Sequence, residues 1–244
     1  MNRPFYIGTS GWNYKHWINR FYPNELKQKD WLQFYINKGF YTVELNNPFY
    51  RLPEKKTFEK WSLQVPEHFR YSVKANRYIT HLKKLYDTDE TLNLFINNTK
   101  GLAEKAGPVL FQLPPGFKFS EERLAGFLEK LPEDFRYTFE FRNKTWWNDT
   151  TLKLLNEYKC AFCIFELAGV ITPREVTTDF IYIRLHGPDG KYAGKYTDDA
   201  LSEWADTFIK WEKQHKKIYC YFDNDQNAYA VENAYTLNKM VKAF

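Results

Sequence analysis

Tyr137-Thr138-Phe139-Glu140-Phe141-Arg142-Asn143-Lys144-Thr145-Trp146-Trp147 is the stretch that decides the fold class of this chain. A strand sends successive side chains to opposite faces. Phe139 and Phe141 therefore share one face, and Thr138, Glu140 and Arg142 share the other. If a helix covers the apolar face, a carboxylate and a guanidinium are left side by side on the inner face of a sheet. Burying such charges is costly unless they are paired, so the pattern signals a purpose.

The pattern recurs on both sides of this anchor. Strands are predicted at Phe5–Thr9, Tyr41–Leu45, Phe69–Ala75, Val109–Leu113, Ala161–Phe165, Phe180–Leu185 and Ile218–Phe222. Val43 and Leu45 turn outward while Thr42, Glu44 and Asn46 turn in, and Ser72, Lys74 and Asn76 do the same in the next strand. Tyr182, Arg184 and His186 share the inner face of a later one. Helical spacing fills the gaps: a helix from about Asp30, one carrying Phe58 and Trp61, one from Leu92 to Ala106 ended by Gly107-Pro108, and one capped by Ser120. Further helices are expected from Thr150 to Lys159, after a Thr197 cap, and at the end of the chain. Glu166–Thr178 is irregular, with at best a short helix.

About eight strand–helix units in series, in a chain of typical length, predict a single-domain TIM (β/α)8 barrel. A doubly wound open sheet is the competitor. It tolerates fewer polar residues on its strands, because helices cover both faces. No linker or low-complexity run divides the 244 residues.

Composition narrows the function classes. The formal net charge of +5 suits anionic ligands but lacks the concentrated basic footprint of a nucleic-acid binder. No apolar run is long enough to span a membrane, and Met1-Asn2-Arg3-Pro4-Phe5 has no signal-peptide character. The three cysteines do not suggest a disulfide framework. Cys160 and Cys163 form a C-x-x-C on a predicted strand and are read as buried small residues. A reducing, cytoplasmic setting is expected.

The polar residues gather at strand C-termini, where barrel enzymes work. Glu44, Glu140, Lys74, Arg142, Arg184 and His186 are the candidate catalytic groups, with carboxylates for proton transfer and cations for a developing anion. Asn46, Asn76, Arg77, His81, Gln112, Asp223 and Asn224 are candidate ligand contacts. So are Gly187, Lys191 and Lys195, in the loop after the seventh strand, where barrels commonly hold phosphate. Trp12 and Tyr14 offer rings for stacking, although such clusters more often pack a loop. No two histidines have metal-binding spacing, so neither a metal nor a cofactor is expected. Structural ion pairs inside the barrel are the competing reading of the same charges.

A family resemblance joins these residues. Gly8-Thr9-Ser10-Gly11-Trp12-Asn13-Tyr14, Val43-Glu44-Leu45-Asn46 with Phe49-Tyr50-Arg51-Leu52-Pro53, and Val73-Lys74-Ala75-Asn76-Arg77-Tyr78-Ile79-Thr80-His81 resemble the YecE-like family, domain of unknown function 72. Gly107-Pro108-Val109-Leu110-Phe111-Gln112-Leu113-Pro114-Pro115, Glu140-Phe141-Arg142 with Trp146, Arg184-Leu185-His186-Gly187, and Asn224-Asp225 with Asn233-Ala234 complete the match over nearly the whole chain. The resemblance implies a TIM barrel without a settled activity. Asn143 stands where the family pattern often has histidine, so no acid/base role falls there. Asp223 stands where asparagine is common and adds a carboxylate.

Three functions follow as expectations. The first is binding of an anionic, phosphate-bearing small molecule at the C-terminal mouth, with metal-independent acid/base chemistry. The second is a nucleic-acid-binding or processing barrel similar in architecture to endonuclease IV. The third is a non-catalytic binding protein.

Overall fold

A computed structural model describes residues 3–242. Met1 and Asn2, part of the stretch read for a signal peptide, lie outside the described residues. Nine strands follow in order: β1 (Phe5–Ser10), β2 (Thr42–Leu45), β3 (Arg70–Lys74), β4 (Ala106–Leu113), β5 (Tyr137–Phe141), β6 (Ala161–Leu167), β7 (Val170–Ile171), β8 (Phe180–Leu185) and β9 (Lys217–Phe222). They form one sheet in the order β5-β4-β3-β2-β1-β9-β8-β6-β7, and pairing of β5 with β6 closes it. Setting aside the small β7, this is the (β/α)8 barrel that the alternating pattern predicts.

The helices are α1 (Trp31–Asn37), α2 (Asn47–Tyr50), α3 (Lys55–Leu63), α4 (Asp89–Thr99), α5 (Glu121–Leu128), α6 (Asp149–Glu157), α7 (Asp198–Glu212) and α8 (Tyr229–Met240). Their apolar stripes supply much of the core: Leu92, Phe95 and Ile96 in α4, and Leu201, Trp204, Ala205 and Phe208 in α7. The Thr197 hydroxyl caps α7 by accepting the Ala200 N–H, and Asn148 caps α6 through Thr151.

Contacts gather the chain into two compact units. One comprises the chain up to Glu44, Ile164–Thr172, and the chain from Asp179 onward; the other comprises Leu45–Cys163 and Pro173–Thr178. In the first unit β1 runs parallel to β9 from Phe5↔Ile218 to Thr9↔Phe222, and β9 runs parallel to β8. In the second, β3, β4 and β5 are successive parallel neighbours, with Gln112 opposite Glu140.

Three local expectations are corrected. Glu166–Thr178 contains no short helix: β6 turns through Ala168 (φ 50°) and Gly169 (φ 77°) into β7, which pairs antiparallel with it. β-Branched Val170, Ile171 and Thr172 favour the strand, and the Thr172 hydroxyl accepts the Phe165 N–H. The helix from Leu92 ends at Thr99 and continues to Lys105 as a tighter helical stretch, and β4 begins at Ala106. Gly107-Pro108 thus lies in the strand, where a side chain on Gly107 would meet the Tyr71 and Ser72 backbone. Ser120 stands at the N-cap, directly before α5, but its hydroxyl makes no cap bond.

Candidate functional site

Within the first unit, the strand ends build one buried network. Ser10 at the end of β1 stands opposite Glu44 at the end of β2. Alternation along β8 puts Tyr182, Arg184 and then His186 on the same face. One Glu44 oxygen accepts from the Ser10 hydroxyl and from Arg184 Nη2 (2.7 Å); the other accepts from the Tyr182 hydroxyl (2.7 Å). Arg184 Nη2 also meets Asp223 Oδ2 at 3.0 Å, and that same oxygen takes His186 Nδ1 at 3.0 Å. Glu44, Tyr182, Arg184 and His186 are fully buried, whereas the Asp223 side chain retains 13% exposure. Burial and the Glu44 charge both push the Tyr182 hydroxyl well above its usual range, so it stays a donor.

Glu44, Arg184, His186 and Asp223, expected as separate catalytic and ligand groups, are therefore members of one hydrogen-bonded cluster. Ser10 and Tyr182 belong to it and were not predicted, although alternation already put Tyr182 on the Arg184 face.

The loop after β8 folds back on its own unit. Asn224 Nδ2 donates to the Gly194 carbonyl (2.8 Å) and to Asn233 Oδ1 (3.0 Å). Asn233 also accepts the Tyr196 N–H and donates to the Tyr196 carbonyl. Tyr196 in turn accepts the Gly187 N–H through its hydroxyl. Gly187 is left-handed (φ 108°), and a Cβ there would collide with the Ala193 backbone. Gly187→Ala is expected to cost about 1–3 kcal/mol, read as a lower urea midpoint. An unchanged midpoint would show that the loop yields freely. Lys195 pairs with Glu232 (2.6 Å), and Lys191 lies over Tyr192 (5.4 Å). Tyr14 donates to the Ser10 carbonyl and packs on Trp17 (4.9 Å), and the half-buried Trp12 gives its carbonyl to Tyr22. This is the loop-packing role weighed for them.

The second unit holds a different cluster at the ends of β3 and β5. Glu140 is fully buried; one of its oxygens accepts from Arg142 Nε, and the other lies 3.9 Å from Cys163 Sγ. Gln112 is half-buried beside Glu140. Lys74 lies 4.3 Å over the Phe49 ring, and His81 meets the same ring edge-on at 5.0 Å. The Thr80 hydroxyl is 2.9 Å from His81 Nδ1. Asn76 is engaged locally: it donates to the Pro48 carbonyl and accepts the Tyr78 N–H. The Asn46 carbonyl accepts the Phe49 N–H at the start of α2, and Arg77 is exposed. Burial lowers the His81 pKa, and Lys74, Arg77 and Arg142 lower it further against Glu140 alone.

The family model described as "Protein of unknown function DUF72" matches residues 6–244. The chain belongs to this family. Among curated relatives, this DUF72 protein is 27% identical to UPF0759 protein YunF of Bacillus subtilis, over 93% of the chain and 91% of YunF. UPF0759 protein YecE of Escherichia coli is 30% identical over 57% of the chain and 48% of YecE. A DUF72 family protein from Thermotoga maritima has the same fold, with a TM-score of 0.88 at 28% identity, over 98% of this chain and all of that one (100%). One from Enterococcus faecalis gives 0.83 at 20% identity, over 98% and 95% of the two chains.

The family-pattern departure at Asn143 has a structural use. Its side chain accepts the Thr145 N–H and donates to the Pro115 carbonyl (2.7 Å). Among the described residues of this DUF72 protein, no helix is long and apolar enough to cross a membrane.

Proposed function

We propose that this DUF72 protein binds an anionic, phosphate-bearing small molecule at the C-terminal ends of β3 and β5. Lys74 and Arg77 hold its charge, Arg142 being engaged by Glu140, and His81 exchanges protons with it. The observation that carries this reading is the electrostatic setting of His81: a half-buried imidazole with three cations and one carboxylate acting on it. Burial is the larger cause of the lowered His81 pKa and disfavours any charge; it is the surplus of cations over carboxylates around the ring that favours an incoming negative group. Glu44 and Arg184 have a scaffold role here, because each other's charge already occupies them. The three cysteines are buried and form no disulfide, which favours a reducing, cytoplasmic setting.

Sulfate, whose charge is fixed across the working range, is the probe. The His81 pKa lies below its usual 6.5, so the ring is neutral at pH 7.5 and gains its proton as pH falls. Sulfate affinity is therefore expected to rise between about pH 7.5 and 5.5, and His81→Gln should flatten that rise. Lys74→Ala and Arg77→Ala should each weaken binding about fivefold. A flat profile in the unmodified protein, or an unchanged one in His81→Gln, removes the basis of the reading. Folding follows the opposite sign: the stability that neutral His81 contributes is full above about pH 6.5 and is lost as pH falls towards its lowered pKa.

One observation favours a second reading, a single-stranded nucleic acid. Tyr50, Tyr78 and Tyr86 are 72%, 40% and 65% exposed, with Lys83 over Tyr78 and Arg123 over Tyr86. Rings beside cations suit bases beside phosphates. Oligonucleotide affinity that falls steeply with salt, and is lost in Tyr86→Ala, supports that reading; salt-tolerant mononucleotide binding supports the first.

A further inference from the structure

We infer that the cavity between the end of α1 and the start of α8 binds a compact organic anion with a flat apolar body. It lies within the first unit and uses none of the residues assigned above to the phosphate-bearing ligand. The cavity measures about 490 Å3, within the size range of small-molecule sites, and its lining includes Arg20, Phe21, Lys38, Phe40, Val231 and Tyr235.

Its walls are set before any ligand arrives. The Phe21 ring is held edge-on by Trp17 (5.8 Å), Phe34 (5.3 Å), Tyr35 (6.3 Å) and Phe40 (6.3 Å). Val231 and Tyr235, four residues apart on α8, form the facing apolar stripe.

The cations outnumber the carboxylates in the lining, and Lys38 lies over the Phe34 ring at 5.0 Å. Arg20 and Lys38 make no ion pair among the described residues, and the carboxylate of Glu232, also in the lining, is engaged by Lys195 at 2.6 Å. An anionic group entering here finds two cations, and the one carboxylate in the lining already has a lysine partner.

Backbone strain flanks the same cavity. Asn19, next to Arg20, has φ 63°, and Asn227 and Ala228, directly before α8, have φ 56° and 62°. Left-handed alanine is rare, and such strain gathers at ligand-binding positions when the surrounding fold enforces it. The anionic group is assigned to Arg20 and Lys38, and the flat body to Phe40, Val231 and Tyr235.

The test uses the full chain and two probes of one shape, 2-naphthoate and neutral 2-naphthalenemethanol, followed by titration calorimetry and saturation-transfer NMR. Naphthoate is expected to bind about tenfold tighter than the alcohol. The double change Arg20→Ala with Lys38→Ala should erase that preference. Val231→Trp, which fills the cavity, should abolish binding of both probes while the chain stays folded by circular dichroism, with a lower thermal midpoint because Val231 is buried. If that variant does not fold, Tyr235→Ala should weaken both probes together. Equal affinity for the two probes in the unmodified protein overturns the inference. So does naphthoate binding that persists in folded Val231→Trp, or that is unaltered by the double change or by Tyr235→Ala.

Discussion

Arg184→Ala is expected to destabilise the protein by about 3–5 kcal/mol, a large part of the ~5–15 kcal/mol that holds a typical domain together. The guanidinium stands between Glu44 and Asp223, and its Nη2 also reaches the Ser10 hydroxyl (3.0 Å). Alanine leaves the Glu44 carboxylate fully buried with only hydroxyl donors, Ser10 and Tyr182. It leaves Asp223 with His186. Arg184→Lys should fall between the two, because one compact ammonium replaces a planar fork of donors. Urea unfolding followed by circular dichroism at pH 7 measures the difference. A loss below about 1 kcal/mol would mean that water or a proton relieves both carboxylates, and the network would then not be what holds these strand ends. Sulfate affinity per folded molecule should stay unchanged in both variants. An anion-binding role for Arg184, the expectation from sequence, would instead show as lost affinity.

The alternation that marks Glu44, Glu140 and Arg184 as inward-facing is visible in the sequence because strand geometry has a period of two. It correctly leads to their burial. Alternation gives the face of a residue but neither its depth nor its partner. Arg184 meets a carboxylate 140 positions away, and nothing local in Arg184-Leu185-His186 encodes that choice. The same limit hides Ser10 and Tyr182: a hydroxyl in a loop motif and a tyrosine on a strand carry no charge to flag them. Loop conformation is harder still. Gly107-Pro108 has the composition of a helix stop, yet close approach to β3 makes it part of a strand. The glycines after β8 suggest a phosphate cradle, but Gly187 is explained by the Ala193 backbone packed against it. Among the cations, Lys74 and Arg142 were singled out from their strand faces. Arg77 and His81 are candidates from the sequence as well, but that Lys74, Arg77 and Arg142 all bear on the His81 charge follows only from how the loop after β3 turns.

Asn233→Ala should free the loop after β8 and cost about 3 kcal/mol. Asn233 is buried on α8, and its amide answers three groups at once: the Tyr196 N–H, the Tyr196 carbonyl and the Asn224 amide. Alanine removes all three partners, and an unmet buried polar group costs about 1–3 kcal/mol; water entering the gap recovers part of the sum. The loss spreads along the loop, because the Tyr196 hydroxyl holds the Gly187 N–H and Asn224 holds the Gly194 carbonyl. Hydrogen exchange is the discriminating measurement. Amides of residues 187–196 should exchange at least about tenfold faster, while those of β9 keep their protection. Unchanged exchange in the loop would show that the Lys195–Glu232 pair and the contact of His186 with Tyr192 suffice to hold it. Selective release would make Asn233 the pin that seats this loop over His186, and would account for asparagine at a helical position where it contributes little to helix propensity.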